Sequence, residues 1–191
     1  MASKGEAIDM SILKIHTYPD PVLKVQSEKV QKVNEEVCRL LDDMAETMYL
    51  NNGIGLAAPQ VGEKLRLIVL DVERGETGDT LLKLINPRIV ERRGKTKSEE
   101  GCLSLPDLLV EVERSETVTV EALLPDGKET RIEAEGLLGI CLQHEIDHLD
   151  GVLLVDRLSS LRRSLYAKKR LKEASKSDEE DTPSRTSSPI L

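Results

Sequence analysis

The chain has 191 residues, 39% hydrophobic and 32% charged, which is enough for one domain with a sizeable core. Three tyrosines with no Phe and no Trp argue against recognition by stacking on aromatic platforms and leave Leu, Ile, Val and Ala to fill the core. A formal net charge of −8 argues against a general nucleic-acid binder, and no apolar run of about 18 residues is present to span a membrane.

"MASKGEAIDM" lacks an apolar signal core, so residues 1–9 are expected to be a flexible leader, with Met10 as an alternative start. Asn34, followed by Glu35 and Glu36, reads as a helix start, and Val37, Leu40, Leu41, Met44 and Met48 follow at helical spacing. That helix is predicted to reach Asn51 or Asn52, with Gly53 ending it. The junction that follows, "GIGLAAPQ" (53–60), is apolar and glycine-rich, and Gln60 is its lone polar side chain. "LRLIVLD" (65–71) and "LLKLINPRIV" (81–90) read as strands separated by the turn "ERGETGD". "LLVEVE" (108–113) and "TVTVEALL" (117–124) are further strands, and a turn at Asp126-Gly127 leads to one more. From Leu137, "LLGICLQHEIDHLDG" reads as a buried helix closed by Gly151. A second helix is expected at about 158–173, with Leu158, Leu161 and Leu165 on one side and a basic remainder. The polar segment 173–191 is predicted to be a disordered acidic tail. The class is α+β, in one domain with a frayed tail. Cys38, Cys102 and Cys141 are too few for a disulfide framework and suit a reducing cytoplasm.

"HEIDH" (144–148) places His144 and His148 at i and i+4 on the predicted helix, on one face and roughly 5–6 Å apart at Cβ. Two imidazoles so placed can converge on one metal ion, and Glu145 can reach a water there without being a ligand. A catalytic site needs a third protein ligand. A zincin-type metallopeptidase takes it downstream, but no His follows His148, and Glu173 falls at the start of the tail. Upstream, Cys102 in "EGCLSLP" (100–106) offers a thiolate, with a free catalytic thiol as the alternative. Cys38 and Cys141 lie within apolar helical patterns and read as small core residues. A non-catalytic metal-binding protein is the other rival, with no use for Glu145 or Gln60.

"GIGLAAPQ", "EGCLSLP" and "QHEIDHLDG" (143–151), in this order, together resemble the three motifs of the peptide deformylases, and "HTYPDPVLK" (16–24) resembles the family's N-terminal segment. The similarity extends over about residues 10–172, and the last helix resembles the form with a C-terminal helix, common in Gram-negative bacteria and organelles. The resemblance implies mostly antiparallel sheets packed around a central HExxH-bearing helix, with N-terminal and C-terminal helices. It implies a metal-dependent hydrolase of the bacterial cytoplasm that removes the N-formyl group from the initiator methionine of new polypeptides, releasing formate. One divalent ion, Fe2+ in the cell with Zn2+, Ni2+ or Co2+ able to replace it, would sit on Cys102, His144 and His148. Glu145 would be general base, and the Gln60 amide and Leu103 backbone N–H would face the developing oxyanion. Ile54, Gly55, Leu137, Ile140 and Cys141 match the methionine slot, and Glu100 with Arg114 matches a pair bracing the Cys102 strand. Leu109 stands where many relatives carry arginine. The partners expected are N-formylmethionyl nascent peptides and, through basic helix 158–172, the ribosome, with no sequence-specific nucleic acid and no membrane.

Overall fold

The computed structural model describes residues 11–74 and 80–180. The expected leader (1–9), most of the "ERGETGD" turn and positions 181–191 lie outside the described residues. Helix α1 (Glu35–Leu50) starts as predicted, with the Asn34 side chain accepting from the Val37 amide. Its end differs from expectation. The left-handed residue is Asn52, at φ 57°, a conformation that asparagine tolerates, so Gly53 is not the terminator. Gly53 instead packs closely: a Cβ there would lie 2.9 Å from Leu103 Cδ1 and 3.2 Å from Met48 Cγ, so those side chains would have to shift.

Strands β1 (Gly55–Ala57), β2 (Leu67–Leu70), β3 (Leu82–Arg93), β6 (Thr117–Leu123) and β7 (Glu129–Glu135) form an antiparallel sheet in the order β1-β2-β3-β6-β7. Helix α2 (Gly136–Leu149) covers one face and α1 the other. Ile68 and Leu70 pack with Leu142, Ile146 and Leu149 of α2, whereas Leu67 and Val69 pack with Leu41, Met44 and Met48 of α1. Burial on both faces is why "LIVL" is continuously apolar rather than alternating. In β3, Pro87 falls at a register shift after Ile85, where proline costs no ladder bond, and Asn86 at φ 54° bonds both backbone groups of Val30 through its side chain.

Strands β4 (Thr96–Cys102) and β5 (Leu105–Arg114) make a separate hairpin. β4 went unread in the sequence, because "TKSEEGC" is polar and has only one buried residue, Glu100. Leu105, Val110 and Val112 of β5 pack on Leu153, Leu154 and Val155, next to Leu158 and Tyr166. Helix α3 spans Ser160–Glu180. Leu161 and Leu165 are 69% and 58% exposed, and it is Tyr166 that docks the helix, its hydroxyl donating to the Pro106 carbonyl at 3.0 Å. The helix also continues through residues 173–180, where a disordered tail was expected. No helix among the described residues is long and apolar enough to cross a membrane.

Candidate metal centre and active site

The junction 53–60 forms a short strand, β1, and then a single helical turn, Ala58–Val61. The turn is bound to its own start, since the Ala57 amide donates to Gln60 Oε1 at 2.8 Å. This bond fixes Gln60, which is 2% exposed, with its NH2 group turned to the β4–β5 hairpin. There Nε2 donates to Ser104 Oγ at 3.2 Å and lies 3.5 Å from Cys102 Sγ. Ser104, fully buried, is a site residue that sequence reasoning missed. Its only signal was a hydroxyl set between Leu103 and Leu105 in an otherwise apolar turn.

Cys102, His144 and His148 bring one donor atom each within 4.8 Å of one another, the sole such group of three among the described residues. Cys102 Sγ lies 3.2 Å from His148 Nε2, and the two imidazole centroids are 5.0 Å apart. His144 Nδ1 is 2.9 Å from Glu100 Oε2, which leaves its Nε2 for the cleft. Glu100 is held by Arg114 through a bidentate pair, both bonds at 2.8 Å, and by Ser98 Oγ at 2.7 Å. Both members of the Glu100–Arg114 pair are buried, so it is no surface ion pair. Burial alone would raise the Glu100 carboxyl, but hydrogen bonds from Arg114, His144 and Ser98 outweigh it and hold it at about 2. Burial lowers His148 well below the ordinary histidine value and so keeps it a neutral imidazole, the form that binds metal. For His144, the proximity of Cys102 and Glu100 outweighs burial and favours positive charge at its edge of the cleft, a field that also suits a divalent cation. A thiolate and two imidazoles are a fitting donor set for Zn2+ or Fe2+, and three protein donors leave a further position for reacting groups.

Glu145 sits beside this group, 4% exposed, and its Oε2 has no partner among the described residues. Burial pushes its carboxyl up to about 7, with His144 opposing. The cleft has a volume of about 420 Å³, and Gln60, Leu103, Glu145 and all five residues expected at the methionine slot line it. Their roles differ locally. Ile54 packs against the core cluster of α2, Leu137 is 52% exposed at the helix start, and the buried Cys141 is kept a neutral thiol because burial raises it. Gly55 serves Glu145 more than the slot, since a Cβ there would lie 2.4 Å from Glu145 Oε1 and 2.8 Å from Cys141 Sγ. Leu109, 60% exposed, packs over Gly101, which lines the cleft.

A family model described as polypeptide deformylase matches residues 12–164. The peptide deformylase of Thermodesulfovibrio yellowstonii is 53% identical over 160 residues, which is 84% of this chain and 97% of that protein. That of Syntrophobacter fumaroxidans is 49% identical over 168 residues, 86% of this chain and 99% of its own length. Among solved structures, a peptide deformylase from Legionella pneumophila superposes with a TM-score of 0.78 at 43% identity, covering 91% of this chain and 100% of that one. A peptide deformylase from Ehrlichia chaffeensis in complex with actinonin gives 0.79 at 42% identity, covering 86% and 98%. The fold, the placement of the Cys/His/His group and the matches across nearly the whole of these relatives lead to one conclusion: the chain belongs to the polypeptide deformylase family.

Proposed function

We propose that the cleft between β1, β4 and α2 is where this chain carries out its family's reaction, and that its residues divide the work as set out here. As a peptide deformylase the chain is a metal-dependent hydrolase that removes the N-formyl group from the initiator methionine of new polypeptides and releases formate. The single observation that carries the placement is the convergence of Cys102, His144 and His148 within 4.8 Å beside a buried carboxylate with a free oxygen. A divalent ion held by these three would supply Lewis acidity and lower the pKa of a water toward about 7. Glu145 takes the proton of the attacking water on its unpartnered Oε2 and later passes it to the leaving amine. Gln60 Nε2, held by Ser104 beside Cys102, donates to the formyl oxygen as it becomes an oxyanion when the water adds to the formyl carbon, with the Leu103 backbone N–H beside it. Ile54, Ile140 and Cys141 give the methionine side chain an apolar seat, and the buried β1 wall excludes competing water.

The ion we infer in the cell is Fe2+, and metal analysis after anaerobic purification tests that identity. The wider setting we infer is a bacterial cytoplasm. Contact with the ribosome through 158–172 belongs to the same reading. Part of that basic surface is already engaged: Lys169 pairs with Asp107, Arg170 with Glu173 and Arg163 with Asp156. Arg162, Lys168 and Lys172 have no acidic partner among the described residues and are the cations left to meet phosphates. Co-sedimentation with ribosomes, with and without residues 158–191 at two salt concentrations, tests this, and equal binding by both chains removes it. The reaction itself is tested by formate release from formyl-Met-Ala-Ser with and without chelator. Release that is abolished by chelator and restored by metal is expected. Cleavage of internal peptide bonds instead would favour a zincin-type metallopeptidase.

A further inference from the structure

Cys102 comes from β4 and both imidazoles come from α2. The donor set is therefore only as fixed as the spacing of these two elements. A closed circuit of side chains spans that spacing. It leaves α2 at His144, whose Nδ1 meets Glu100 of β4 at 2.9 Å. Glu100 is gripped at both oxygens by Arg114 of β5. Arg114 NH1 donates to Asp147 Oδ2 at 2.6 Å, and Asp147 is again on α2, three residues after His144. Arg114 and Glu100 are 4% and 6% exposed at their side chains, so the middle of the circuit runs through the interior, opening to the cleft at His144 and to the surface at Asp147, where Arg157 adds a bond of 3.2 Å. The charges alternate along it. Burial works against the Arg114 cation, and the two carboxylates outweigh burial and hold it charged. By contrast, His148 Nδ1 has no partner among the described residues, so His144 is the ligand whose ring orientation the circuit sets.

We propose that Asp147 is a positioning residue for the metal centre: it closes an ion-pair circuit that locks the ligand helix to the Cys102 strand. Groups that hydrogen-bond a metal ligand orient it and hold the metal, and their loss typically costs about 10- to 100-fold in affinity. Asp147 acts one bond further out, by fixing the arginine that fixes Glu100. The neighbouring tie, Gln143 paired with both backbone groups of Ser115, holds α2 to the β5–β6 turn without touching a ligand, so the helix stays docked when the circuit is cut.

The inference rests on Cys102, His144 and His148 being the metal ligands. The experiment loads the full chain with Co2+ and measures transfer of the ion to a chelator together with the visible Co2+ spectrum. Asp147→Asn keeps an acceptor and removes the charge. It is expected to release Co2+ about tenfold faster than the unmodified chain, with altered ligand-field bands, while thermal unfolding of the metal-free protein changes little. Asp147→Glu restores the charge and is expected to restore most of the retention, and Arg157→Ala is expected to match the unmodified chain. Unchanged release and spectrum in Asp147→Asn overturn the proposal. Failure of the unmodified chain to bind Co2+ overturns the ligand assignment itself. If Asp147→Asn does not fold, Arg114→Lys takes its place, because a lysine cannot span both carboxylates. Faster release is again expected, and unchanged release again overturns the circuit.

Discussion

Replacing Gln60 by alanine separates a transition-state role from a structural one, and the expected size of each effect follows from the bonds it makes. Gln60 makes three contacts: it accepts from the Ala57 amide at 2.8 Å, donates to Ser104 Oγ at 3.2 Å and approaches Cys102 Sγ at 3.5 Å. Truncation leaves the Ala57 amide unsatisfied in a buried turn, which costs about 1–3 kcal/mol of stability. A single oxyanion donor contributes about 3–4 kcal/mol to a barrier, so kcat is expected to fall roughly 100- to 1000-fold while KM changes little. The metal ligands are untouched, so bound metal should stay at one equivalent. The assay is steady-state formate release from formyl-Met-Ala-Ser, read beside metal content and a thermal melt. A kcat within about threefold of the unmodified chain would refute the donor role. Loss of metal with loss of activity would make Gln60 a scaffold for Cys102 instead.

Gly55→Ala puts a methyl group 2.4 Å from Glu145 Oε1, and the carboxylate is the element free to yield. Activity should fall at least about tenfold with a small change in melting temperature and full metal content, since displacing a catalytic group by about 1 Å is costly; unchanged kcat would show that Glu145 needs no fixed position. Glu145→Gln should retain metal and lose about 100- to 10,000-fold in rate. In the unmodified chain Glu145 must be ionised to act. Burial sets it at about 7 and the positive charge of a bound ion pulls it lower, so kcat/KM should show an acid limb below pH 7, and a profile without such a limb refutes the base assignment. Glu100 has a folded value of about 2 against an ordinary value of 4.5, so its contribution, on the order of 3 kcal/mol, is fully present above pH 4.5 and is lost as pH falls toward 2. Urea unfolding of the metal-free protein from neutral pH down to pH 3 should show this decline, and Glu100→Gln should flatten it; an equal slope in both proteins contradicts the assignment.

The sequence determined what depends on local spacing. Asn34 with two acids behind it, and Leu41, Met44 and Met48 at helical intervals, specify α1 without reference to the rest of the chain. The i, i+4 pair His144 and His148 specifies two imidazoles on one helical face, because 3.6 residues per turn leave no other outcome. The three motifs in order indicate the family without any tertiary information. What needed the tertiary structure were relations between segments far apart in the chain. The polar strand β4 was invisible because its single buried side chain, Glu100, is stabilised by an arginine fourteen residues away rather than by an apolar pattern. Glycine is the usual terminator, but the left-handed turn at the end of α1 falls on Asn52, while Gly53 packs beside Leu103 and Met48. Helical spacing puts Leu158, Leu161 and Leu165 on one side, but which side of α3 docks is decided by the hairpin that Tyr166 meets, and Leu161 and Leu165 stay exposed. Local periodicity fixes where a side chain points on its own element. Which charge, thiol or cavity it then faces depends on how β1, β4 and α2 come together, and for Gln60, Gly55 and Asp147 that packing decides the chemistry.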